Sequence, residues 1–139
     1  MQRTQRVRET ILASIVLCTA SVFHVARAEP SAETIARGKA MAEAADCISC
    51  HTADPSRPFA GGKRIDTPFG AIYSPNLTPD RDTGIGAWSD AEIKTAITQG
   101  KSKDGSPLKP PMGYPHYAKM TDADLTAVVA YLRTVPAKE

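Results

Sequence analysis

The sequence predicts an all-α domain, with a helix near each end of its last 111 residues and a long irregular stretch between them. Three observations carry that expectation. A capped, Ala-rich segment opens the region, a capped segment with helical apolar periodicity closes it, and the Pro- and Gly-rich sequence between them shows no sustained strand alternation.

The first helix is expected to begin near Ser31, a residue type that caps helices, and to run through the segment from Glu33 to Ala45 on into Cys47-Ile48-Ser49-Cys50-His51. Gly38 sits inside it, where glycine costs about 1 kcal/mol relative to alanine. Close packing of another helix against the backbone explains a glycine at that point. Ser89-Asp90-Ala91-Glu92 reads as a capping box that opens a shorter helix, with Ile93, Ala96 and Ile97 facing inward and Gly100 at its stop. The last helix has the clearest pattern. Leu125, Val128, Val129 and Leu132 recur at i, i+3, i+4 and i+7, Thr121 can cap the start with Asp124 three residues on, and Pro136 lies beyond the end. This spacing predicts one buried stripe, with Tyr131 as the aromatic that would meet Gly38. From Thr52 to Ala87 the turn signals are Gly61-Gly62, Thr67-Pro68, Ser74-Pro75 and Asp82-Thr83-Gly84.

Residues 1–28 look like a secretory leader. Arg3, Arg6 and Arg8 form a basic start, Ile11 to Val22 an apolar run, and Ala26-Arg27-Ala28 a small-x-small cleavage site. The apolar run is shorter than the roughly 20 residues that span a bilayer, which argues against a retained anchor. Residues 29–139 are then expected to form a single domain. They hold 13 basic and 14 acidic residues, a net formal charge of −1 against +2 for the whole chain. Nothing in that balance points to nucleic acid, which calls for a basic domain.

The chemistry is concentrated in Cys47-Ile48-Ser49-Cys50-His51. C-x-x-C-H is the spacing of covalent haem attachment: two thiols add to the two vinyl groups, and the adjacent imidazole reaches the iron from one face. Cys47 and Cys50 are the expected anchors and His51 the proximal ligand. A structural zinc site would want a second pair of Cys or His at similar spacing, and a redox dithiol would want a βαβ context. The sequence offers neither. Export agrees with the motif, because haem is attached to such motifs outside the bacterial cytoplasm. Cys18 falls in the leader, so no cysteine is left for a disulfide, and a large flat cofactor would supply much of the core of so short a domain. It also gives the long loop region something to wrap around.

The second axial position has candidates in Met112, Met120 and His116. Met112 is favoured because it lies in the stiff stretch Lys109-Pro110-Pro111-Met112-Gly113. Met120 precedes the capped last helix, where packing is the usual role, and His116 suits a loop position between Pro115 and Tyr117. Met41 on the first helix suits the core. A carbonyl following the motif is expected to accept the His51 N–H, with Pro55 and Pro58 as the candidates.

Beyond C-x-x-C-H, the chain resembles the class I c-type cytochromes. The closer likeness is to haem domains in the cytochrome subunits of bacterial alcohol, aldehyde and gluconate dehydrogenases, and to small relatives serving other periplasmic or membrane-associated dehydrogenases. The segments that carry the resemblance are Ala45 to Thr52, Phe59-Ala60-Gly61-Gly62, Thr67 to Asp80, Thr83 to Asp90, and Ala130-Tyr131-Leu132. The resemblance implies a class I cytochrome c fold, with crossed N- and C-terminal helices near Gly38 and Tyr131 around one covalent haem c. It implies methionine ligation at the position of Met112, and approach of Tyr73, Trp88 and Asn76 to the haem propionates. Two departures stand out: Gly113 replaces the proline common after the methionine, and Ala40 stands where an aromatic is often found. The function implied is outer-sphere electron transfer in the periplasm, from a dehydrogenase toward a cytochrome or terminal oxidase of the respiratory chain, without catalytic residues and with no membrane anchor after leader cleavage. The alternative is a haem enzyme or gas sensor with an open or displaceable distal site.

Overall fold

The computed structural model describes residues 29–139; the expected leader, residues 1–28, lies outside the described residues. Helix α1 (Ala32–Ala44) starts at Ser31, whose hydroxyl accepts the Thr34 N–H at 3.1 Å. A single turn, α2 (Cys47–Cys50), follows. A two-stranded antiparallel hairpin, β1 (Arg64–Thr67) and β2 (Gly70–Tyr73), comes next, in the register Arg64 opposite Tyr73 and Ile65 opposite Ile72. The rest is helical: α3 (Asp90–Gln99), the short α4 (Tyr114–Tyr117) and α5 (Asp122–Leu132).

The hairpin departs from the all-α expectation. Each strand has four residues and pairs only with the other, and Ile65, Thr67 and Ile72 are the hairpin's partly buried positions, too few apolar residues to print an alternating hydrophobic pattern. Helix α4 was unanticipated for a similar reason, since one turn carries no periodicity.

The expected caps are present. Ser89 and Glu92 form a reciprocal capping box, and Gly100 ends α3 at φ +64°, where glycine carries no Cβ penalty. Thr121 accepts the Asp124 N–H at the start of α5. Burial of α5 differs from the single stripe that its spacing predicts. Ala127 and Ala130 are buried together with Leu125, Val128, Val129 and Leu132, so most of its circumference is covered. The reason is that α1 packs along one side while α3 and the loops face the other.

Gly38 lies against the backbone of α5: a Cβ there would sit 1.8 Å from the Ala127 carbonyl oxygen and 2.9 Å from the Tyr131 Cβ. Arg37 beside it reaches Asp124, its Nε donating to the carboxylate at 2.8 Å. Ala40 is exposed, so its small side chain takes no space from this contact. The core groups Phe59, Ile85, Ile93, Val128, Val129, Leu132 and Val135, with Phe59 edge-on to Tyr131 at a centroid distance of 6.0 Å. Arg133 closes the end of α5 by donating to Asp90 at 2.9 Å and to the Trp88 carbonyl at 2.7 Å. Among the described residues, no helix is long and apolar enough to cross a membrane.

Gly38→Ala is expected to destabilise the fold by about 3 kcal/mol, because its obstacle is backbone, and this exceeds the roughly 1 kcal/mol that alanine gains in helix propensity. Chemical denaturation of the two proteins checks it. A second expectation concerns acid. Hydrogen bonds hold the carboxyls of Asp54, Asp80, Glu92 and Asp104 below their ordinary range, and Lys94 and Thr121 do the same for Asp122 and Asp124 respectively. A pKa lowered on folding stabilises the native state above the ordinary carboxylate value and loses that contribution as pH falls through the lowered one. Thermal midpoints should therefore decline on acidification below about pH 4.

Candidate haem-binding site

The first helix does not run on into the motif as expected, because a break at Asp46 separates them. Asp46 takes a left-handed conformation at φ +53°, ending α1 and redirecting the chain into the turn Cys47–Cys50, which the His51 N–H closes by donating to the Cys47 carbonyl at 3.0 Å. At i and i+3 of one turn, the two cysteines share a face. Both thiols are free; Cys50 is exposed, and Cys47 is half-buried, which raises its thiol above the ordinary range.

His51 is buried, and its Nδ1 lies 2.9 Å from the Pro75 carbonyl oxygen. A carbonyl only accepts, so Nδ1 carries the proton and the neutral ring keeps its lone pair on Nε2. Burial lowers the imidazole's pKa, partly opposed by the bond to Pro75, so the ring stays neutral and able to act as a ligand.

This corrects the expectation of Pro55 or Pro58 as the acceptor. Pro55 sits in an exposed turn, where the Arg57 N–H bonds to the Asp54 carbonyl, and the chain returns to the motif only afterwards, through the bridge between Thr52 and Gly61. Gly61 donates its N–H to the His51 carbonyl at 2.8 Å, and a Cβ on it would stand 2.5 Å from the Pro75 carbonyl carbon. The close approach of residues 74–76 to the motif therefore depends on a glycine. The signal was present in Gly61-Gly62, but sequence shows only a turn there, not what packs on it.

The motif opens on a cavity of about 570 Å³, within the usual range of small-molecule sites of roughly 300–1,000 Å³. Cys47, Cys50, His51, Tyr73, Asn76, Trp88 and Met112 all line it, contributed by α2, β2, the loops and the segment before α4. The walls are otherwise mainly apolar, with Ile65 and Ile72 from the hairpin, Ile93 and Ile97 from α3, and Val128 and Leu132 from α5. Met120 lines the cavity as well and packs on the core, whereas His116 is exposed and outside it; Met41 packs against the core.

The three residues expected near the propionates differ in setting. Tyr73 is 64% exposed, and Trp88 is half-buried against the core. Asn76 is fully engaged within the chain. Its Nδ2 donates to Thr83 Oγ1 at 2.9 Å and to the Lys138 carbonyl at 2.6 Å, while its Oδ1 accepts the Thr78 N–H at 2.8 Å.

A large, flat, mostly apolar group with a metal centre fits this lining: thiols on one face of a turn, a neutral imidazole with a free lone pair, and a thioether. A zinc site does not, because among the described residues no three or more His, Cys, Asp or Glu side chains gather as ligands to one ion. The site thus defines a covalent haem-binding domain. The chain belongs to the cytochrome c family, whose model matches residues 35–136. It is 42% identical over 123 residues to the cytochrome c subunit of gluconate 2-dehydrogenase from Pantoea cypripedii, covering 88% of this chain and 28% of that one. With the cytochrome c subunit of alcohol dehydrogenase (quinone) from Gluconobacter oxydans it shares 40% over 121 residues, 86% of this chain and 25% of the relative. With the cytochrome subunit of fructose dehydrogenase from Gluconobacter japonicus it shares 39% over 117 residues, 78% of this chain and 24% of the relative. The chain therefore spans about a quarter of the length of these relatives.

A paired substitution isolates the contact behind His51. Gly61 and Gly62 both have positive φ, +71° and +77°, but a Cβ on Gly62 would meet only the Ala53 Cβ at 3.7 Å. Both alanine variants carry the left-handed penalty of about 1–2 kcal/mol. Gly61→Ala should cost about 1–3 kcal/mol more, because it pushes the Pro75 segment off the motif. Equilibrium unfolding of the two variants measures the difference.

Proposed function

We propose that the chain is a one-haem electron-transfer module with His51 and Met112 as axial ligands, working outside the cytoplasm between a dehydrogenase and the respiratory chain. The observation that carries this reading is the lining of one apolar cavity by Cys47, Cys50, His51 and Met112 together. When bound, haem supplies an iron centre that cycles between Fe(II) and Fe(III).

The chain's residues account for the rest. Cys47 and Cys50 tether the ring through thioethers. Pro75 holds the His51 imidazole in one tautomer and one orientation, which also raises its basicity as a ligand. Met112 would supply the second ligand, and a thioether ligand raises the reduction potential relative to harder ones. The apolar walls from α3, α5 and the hairpin would limit water around a bound haem, which keeps reorganisation on electron transfer small. Tyr73 and Trp88 line the cavity and would offer their polar groups to the haem propionates, and Asn76 serves by holding the loop from Pro75 to Thr83 in place.

The leader at residues 1–28 is cleaved on export, leaving residues 29–139 as a single periplasmic domain with one haem c. The named relatives are cytochrome subunits of gluconate, alcohol and fructose dehydrogenases, which supports a dehydrogenase as electron donor. A cytochrome or terminal oxidase is the acceptor.

Methionine ligation gives oxidised c-type haem a weak sulfur-to-iron charge-transfer band. The wild-type protein is expected to show it and Met112→Ala to lose it, while the reduced variant binds carbon monoxide. A wild type that lacks the band and binds carbon monoxide readily would instead have an open distal site, as in a haem enzyme or gas sensor.

A further inference from the structure

We propose that Tyr117 is a positioning residue: its hydroxyl bonds the methionine side of the cavity to the motif side and keeps Met112 from swinging away. This rests on the reading of Met112 as a ligand. Pro110 and Pro111 have no N–H to offer, so the stretch carrying Met112 depends on anchors at its flanks. On the near side, the Leu108 N–H donates to the Gly100 carbonyl at 2.7 Å. On the far side, the chain enters α4, and two tyrosines of that single turn make the attachments.

The ring of Tyr114 lies on Gly100, where a Cβ would come within 2.8 Å of it. That contact joins α4 to the end of α3, on the same side of the cavity. Tyr117 reaches further. Its hydroxyl donates to the Ala45 carbonyl at 3.1 Å, linking residues 72 apart in sequence. Ala45 is the C-cap of α1, where helix geometry leaves carbonyls without a helical partner, and it stands two residues before Cys47. Ala45 and Tyr117 both line the cavity. The bond thus spans from the end of the helix that leads into the attachment motif to the turn that follows the methionine.

The consequence is a bias between two arrangements of the loop. With the bond made, the segment from Gly113 to Tyr117 is held on the motif side and Met112 stays in place. Without it, the loop opens more often, and an external ligand competes for the iron in proportion to the open fraction. The ring packs with or without the hydroxyl, so Tyr117→Phe removes the bond and leaves the ring in place.

The test is imidazole titration of the oxidised haem protein in wild type, Tyr117→Phe, Met112→Ala and Arg37→Ala, followed at the main haem absorption band in all four and also at the charge-transfer band in the three that keep Met112. Arg37 is exposed, pairs with Asp124 between α1 and α5, and does not line the cavity, so it reports on general loosening of the fold. Tyr117→Phe should keep the band yet bind imidazole about fivefold more tightly than wild type, the factor that corresponds to one net hydrogen bond of about 1 kcal/mol. Arg37→Ala should bind it like wild type. Unchanged imidazole affinity in Tyr117→Phe, with Met112→Ala clearly tighter, would overturn the positioning role alone. An equal shift in Arg37→Ala would reduce the effect to general stability and also overturn it. A wild type that binds imidazole as tightly as Met112→Ala would overturn the ligand reading, and the positioning role with it.

Discussion

The hydrogen bond from His51 Nδ1 to the Pro75 carbonyl is the interaction around which the site is arranged. It settles the tautomer, and with it which nitrogen is left to bind a metal. It also requires a loop 24 residues downstream to return to the motif, and most of the irregular structure serves that return. Gly61 removes the side chain that would block the approach, the Gly62 N–H bonds to the Ser74 carbonyl, and the hairpin delivers the chain at Tyr73. Beyond Pro75, Asn76 and the fully buried Thr78 tie the segment to the Lys138 backbone through three hydrogen bonds.

The same economy governs the helices. Helix α5 presents Ala127 to Gly38 of α1 on one side and Val128 and Leu132 to the cavity on the other. One short helix is therefore shared between two packing surfaces, and alanine stands at its point of closest approach to α1, with the Tyr131 Cβ beside it. In a domain of this size, side chains alone bury limited apolar surface. Under the proposed function, the haem would pack against the cavity faces of α3 and α5 and complete the core.

Much of this was legible in the sequence because it is local. Ser31, Ser89, Gly100 and Thr121 act as caps through contacts within four residues, and the helices they bound appear where expected. The attachment motif is equally local, and Gly38 marked a close contact whose partner the apolar period of α5 supplied. What escaped was either too short or too distant. Four-residue strands and a one-turn helix carry no period. Pro75 could not be chosen over Pro55 and Pro58, because nearness in sequence favours the wrong residues once the chain doubles back at Gly61. Tyr117 gave no local sign of its bond to Ala45, 72 residues away. The burial of Ala127 and Ala130 was hidden for another reason: alanine fits a solvent face and a tight interface equally well, and only the neighbouring backbone distinguishes them.

The measurement that tests the central claim most directly is mass spectrometry of the protein exported from a bacterial host that assembles c-type haem, before and after proteolysis. The account predicts that the whole protein carries the mass of one haem, that the added mass resides on the fragment containing residues 47–51, and that neither Cys47 nor Cys50 takes up an alkylating reagent. Recovery of that fragment without haem, with both thiols alkylated, would contradict it.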